Sequence, residues 1–138
     1  MENQKFKNRL WIILNLASLI SLIVFFYLGK FSNWQFKVII VEVLSIVLFV
    51  SSFYIGFINT NFWKLVHSKS ENLDEREFSV VLTGLKYSYS IFTIMCIVIV
   101  YILILINFHF IDVVFAAGLL YLAHILPAAV VGWNERIV

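Results

Sequence analysis

The sequence predicts an all-α integral membrane four-helix bundle, and three observations carry the prediction. Of 138 residues, 62% are hydrophobic and 13% are charged, too little polar surface for a soluble domain of this length. The apolar residues come in four continuous runs rather than at amphipathic spacing, as in helices that cross hydrocarbon. Threading those runs through a bilayer then places nearly all the basic residues on one side.

The first run, 10–28, reads "LWIILNLASLISLIVFFYL" and follows Lys5, Lys7 and Arg9. It is too long for the apolar core of a signal peptide, and no A-x-A-like site follows it, so a retained span is expected. The second span covers 38–58, the third 87–106 and the fourth 111–133, with a cytoplasmic connection at 59–86. Each has about 20 residues, enough for roughly 30 Å of hydrocarbon. A single membrane domain, 1–138, is therefore expected.

Four spans put both termini on one face. Lys5, Lys7, Arg9, Lys64, Lys69, Arg76, Lys86 and Arg136 share it, against Lys30 and Lys37 opposite. This asymmetry predicts cytoplasmic termini in a plasma or inner membrane. Trp11, Trp34, Trp63 and Trp133 all fall near span ends, where amphipathic rings favour the interface. Spans three and four are joined by "NFHF" and must form an antiparallel hairpin. Asp112 suits the start of the fourth helix, where a carboxylate meets free N–H groups and the helix dipole.

The cytoplasmic connection ends in a charged knot, "ENLDERE". Asn72 with Glu75 reads as a capping box, and Asp74, Glu75 and Glu77 crowd the first turns of a helix. Phe78, Val81, Leu82, Leu85, Tyr89 and Phe92 then share one face, with Arg76, Ser79, Thr83, Lys86 and Ser90 opposite. A helix from Leu73 to Ile106 would be roughly 50 Å long and project about 20 Å into the cytoplasm, unless Gly84 bends it. Two readings of Asp74, Glu75, Arg76 and Glu77 stand: a well-capped helix start, or a partner-docking surface. Three acids on one turn do not surround an ion, so no metal site is expected.

The core Leu73, Asp74, Glu75, Arg76, leading into the third of four spans, resembles a group of small prokaryotic membrane proteins of unknown function. The four-span layout around the motif covers nearly the whole chain. The resemblance implies a shape and a role for the motif's helix, and supplies no catalytic residue.

Ionisable groups within spans are costly and call for a functional hypothesis. Glu42 lies near the outer end of the second span, with His109 and Asp112 at the outer tip of the last hairpin. Together they are either an outward-facing polar site or a shallow carboxylate, a loop histidine and a cap. His124 is deeper, and Pro127 after it is expected to break or loosen the helix. His124 either hydrogen-bonds across the bundle, to Tyr54, Tyr89 or Asn15, or serves a ligand or proton. Haem is not expected, since His109 lies at the opposite end. Small residues four apart, Ala17 with Ser21, Ser52 with Gly56, Gly84 with Ser88 and Ala128 with Gly132, permit close helix approach.

Other classes are set aside. A net charge of +2 without a basic aromatic patch does not suggest nucleic acid. Cys96 is the only cysteine, which excludes an intrachain disulfide and C-x-x-C chemistry. No nucleophile–base pair, phosphate loop or metal-spaced set is visible, so neither an enzyme nor a cofactor is expected. The leading expectation is an accessory or regulatory bundle, embedded in lipid, that docks another membrane protein or a second copy of itself through the LDERE helix. The alternative is a small transporter or membrane-ligand sensor using His124 and Glu42.

Overall fold

The computed structural model describes residues 2–105 and 112–134. The described chain contains five α-helices and no strand: α1 Glu2–Phe31, α2 Phe36–Phe53, α3 Phe62–His67, α4 Glu75–Leu105 and α5 Val113–Asn134. A π-helical turn, Tyr54–Ile58, extends α2, and a 3-10 turn, Ser70–Asn72, precedes α4. Four helices are long and apolar enough to cross a membrane: α1, α2 with its π turn, α4 and α5. The helices α1, α2 and α4 begin ahead of the expected spans, because a helix does not stop where its hydropathy does. Lys5, Lys7 and Arg9 are exposed within α1, and the expected nine-residue link between the first two spans shrinks to 32–35.

The chain divides into two compact units, Met1–Trp63 and Lys64–Val138. In the first, α1 and α2 form an antiparallel hairpin closed by a tight reversal. The amide of Trp34 donates to Gly29 O at 2.8 Å and that of Ser32 to Leu28 O at 2.9 Å. Asn33 and Trp34 take positive φ, 52° and 54°, and the Trp34 ring folds back over Gly29. A Cβ on Gly29 would lie 2.7 Å from that ring, so only glycine admits the approach. Phe26 meets the Trp34 ring edge-on at 5.7 Å.

Polar atoms line the seam between α1 and α2. Asn15, wholly buried, donates from Nδ2 to Phe49 O and to Ser52 Oγ, both at 3.2 Å. Ser21 and Ser45 share a hydrogen bond of 2.8 Å, and Ser18 and Ser45 bond to carbonyls of their own helices. Lipid offers no water to these groups, so they pair across the interface or with carbonyls of their own helix. Gly56, in the π turn, lies against Trp11, where an added Cβ would sit 3.2 Å from the Trp11 Cβ.

In the second unit α4 and α5 run antiparallel. Val81, Gly84 and Ser88 are the buried residues of α4, facing a buried stretch of α5 that includes Ile125, Ala128 and Val131. A Cβ on Gly84 would fall 2.6 Å from Val131 Cγ2 and 3.6 Å from Pro127 O. Of the expected apolar face, Val81 is buried and Phe92 half-buried, while Phe78, Leu82, Leu85 and Tyr89 are exposed. Close backbone approach at small residues decides which face packs. Three of the four expected small pairs are buried; in α1 Ala17 is exposed, and Asn15 and Ser18 take the interface instead.

The charged knot and the third span form one helix, as expected: α4 runs unbroken through 31 residues, about 46 Å, and Gly84 does not interrupt it. Nor does Pro127 end α5: it lies inside a helix that continues to Asn134.

Candidate functional site

The start of α4 is built by its own sequence. The 3-10 turn ends at Leu73, whose extended backbone (φ −101°, ψ 139°) sets the chain's entry into the helix. Asp74 is the cap. Its Oδ1 accepts from the Glu77 amide at 2.6 Å, and Glu77 Oε2 accepts from the Asp74 amide at 3.3 Å. This is a capping box two residues later than the expected Asn72–Glu75 pair. Both pairs fit the spacing, but Asn72 is taken up by the 3-10 turn, so the helix begins at Glu75.

The cap divides the charged knot by role. Asp74 and Glu77 are engaged in closing the helix, while Glu71, Glu75 and Arg76 stand exposed around it. Beside them is a shallow, open hollow of about 310 Å³, lined by Ser70, Glu71, Leu73, Asp74, Glu75 and Phe78. Its lining combines the apolar Leu73 and the 40% exposed Phe78 with the carboxylates of Glu71, Asp74 and Glu75. A smaller cavity of about 160 Å³ follows along the α4–α5 groove, where Ser79, Thr83 and Asn134 supply polar atoms.

The second cluster joins residues far apart in sequence. The ring of His124, on α5, stacks with that of His67, the last residue of α3, with centroids 5.7 Å apart and planes 27° apart. Both residues are exposed. Tyr54 and Tyr89, considered as partners for His124, are 61% and 75% exposed, and Asn15 has the bonds to α2 described above. His67 was absent from the expected site because α3 lies in a stretch read only as a connection.

Glu42 lies on α2 one turn beyond Ser45, at the end of the polar seam. Its Oε2 is enclosed and has no hydrogen-bond partner among the described residues. Asp112 acts as the α5 cap, its Oδ1 accepting from the amides of Val114 and Phe115 at 3.2 Å each. His109 lies outside the described residues. Among those that are described, no three His, Cys, Asp or Glu side chains group as a metal centre. Cys96 is a free, half-buried thiol.

Compared with protein-family models, with curated proteins and with solved structures, the chain matches none.

Proposed function

We propose that the chain is a non-enzymatic, four-span protein of the plasma or inner membrane that docks a partner on the start of α4. Both termini and the α3–α4 connection face the cytoplasm, the side to which the positive-inside asymmetry assigns eight of ten basic residues. The first turns of α4 then extend into the cytoplasm. The observation that carries the docking reading is the hollow lined by the apolar Leu73 and Phe78 together with the carboxylates of Glu71 and Glu75. That chemistry fits a segment with an apolar side chain flanked by lysine or arginine, such as the juxtamembrane stretch of another membrane protein. The capping box holds the surface in shape before the partner arrives, so little ordering entropy is lost on binding.

The test is purification of the full chain in a gentle detergent, followed by mass spectrometry of what co-elutes. A stoichiometric membrane protein, retained by wild type and lost on E71K/E75K or on Phe78→Ala, is the expected result. These changes leave the Asp74–Glu77 cap intact. A chain that elutes alone, or a partner held equally by all variants, contradicts the reading.

A second reading has its own support. Glu42 leaves a carboxylate oxygen enclosed without a hydrogen bond, an arrangement suited to holding a proton or a cation in transport or ligand sensing. It predicts that Glu42→Gln abolishes the activity while leaving α1–α2 packing intact.

A further inference from the structure

We propose that His67 and His124 form a two-imidazole site for a late first-row transition-metal ion, Zn²⁺, Cu²⁺ or Ni²⁺. The inference rests on the meeting of two side chains from different helices and is independent of the docking reading. A metal–imidazole bond of about 2.0–2.1 Å sets a ring centre roughly 3.2 Å from the ion, so two rings on one ion have centres about 5.2 Å apart at a tetrahedral angle and about 6.4 Å apart when opposed. The observed separation, 5.7 Å, falls within that interval. The 27° between the planes is no obstacle, because turning a ring about its metal–nitrogen bond changes the tilt and not the bond length.

Both residues stand on helices. His124 is flanked by the buried residues Leu122, Ile125 and Leu126. His67 ends a short helix that begins at the buried Phe62, and the turn after it is held by Ser68 Oγ donating to Lys64 O at 2.7 Å. The chemistry selects the ion. Imidazole suits zinc, copper and nickel, whereas calcium and magnesium require oxygen ligands, and the nearest charged side chains in sequence are Lys64 and Lys69. Two histidines fill half a tetrahedral shell. Water or an exogenous ligand fills the rest, so this is an exchangeable site rather than a closed structural one.

The test uses the tag-free full chain in detergent, titrated with Zn²⁺ against a competing chelator. One ion per chain is expected for wild type, with affinity falling at least about tenfold in both His67→Ala and His124→Ala, since even outer-shell changes at metal sites cost about that much. His109→Ala, the remaining histidine, should bind like wild type. Electron paramagnetic resonance of the wild-type chain with one equivalent of Cu²⁺ should show two coupled imidazole nitrogens, a readout that needs no variant to fold. No saturable binding, one coupled nitrogen, or a loss in only one of the two variants would overturn the proposal and leave a stacked pair only.

Discussion

At the scale of single residues, polar groups decide more than their number suggests. Asn15 ties α1 to α2 through Phe49 O and Ser52 Oγ. Asn15→Ala should destabilise the hairpin by about 0.6 kcal/mol and at most about 1.7, the span measured for polar contacts between membrane helices, as read from unfolding in mixed detergent. Asp74→Ala should cost about 0.5–2 kcal/mol of local stability at the α4 start, and Asp74→Asn much less. Faster hydrogen exchange at the Glu77 amide in the alanine variant alone is the expected signature, and equal exchange in both would refute the cap. The position of this cap was not legible in the sequence, because Asn72–Glu75 and Asp74–Glu77 satisfy the same four-residue pattern. Only the 3-10 turn at Ser70–Asn72 separates them, and it left no strong mark on composition. The pairing of His67 with His124 was equally hidden, since nothing local to either residue signals the other.

At the scale of elements, the lesson lies in α4. Of its expected apolar face, Phe78, Leu82, Leu85 and Tyr89 are exposed and Phe92 is half-buried; only Val81 is buried, together with Gly84 and Ser88. Amphipathic periodicity reports which face avoids water. On α4 small residues mark the contact instead. The Gly84–Ser88 and Ala128–Gly132 pairs carried that signal in the sequence. Gly84→Val should therefore cost about 1–3 kcal/mol by forcing atoms into Val131, while Leu85→Ala, on the exposed side, should change stability far less. Unfolding of the full-length chain in mixed detergent compares the two, and a larger loss for Leu85→Ala would restore the amphipathic reading.

At the scale of the whole molecule, the four spans were legible because twenty-residue apolar runs have few other uses. Helix ends were less so: α1 starts at Glu2, well outside its apolar run, since charged residues join a helix as readily as apolar ones. The orientation proposed above makes its own prediction. In a chain with Cys96 replaced by serine, a cysteine at Gln35 should react with a membrane-impermeant thiol reagent added to intact cells. Cysteines at Gln4 or Ser70 should react only after the cells are opened. The reverse pattern would invert the topology and place the α4 start outside the cell.

The central claim is that the start of α4 receives a partner. The most direct measurement places a photo-crosslinking residue at Glu71, which lines the hollow, and another at Gln35, in the opposite connection, and irradiates intact cells. The docking account predicts one discrete adduct from position 71, mapping to a basic juxtamembrane segment, and none from position 35. No adduct at position 71, or the same adducts from both positions, would contradict it.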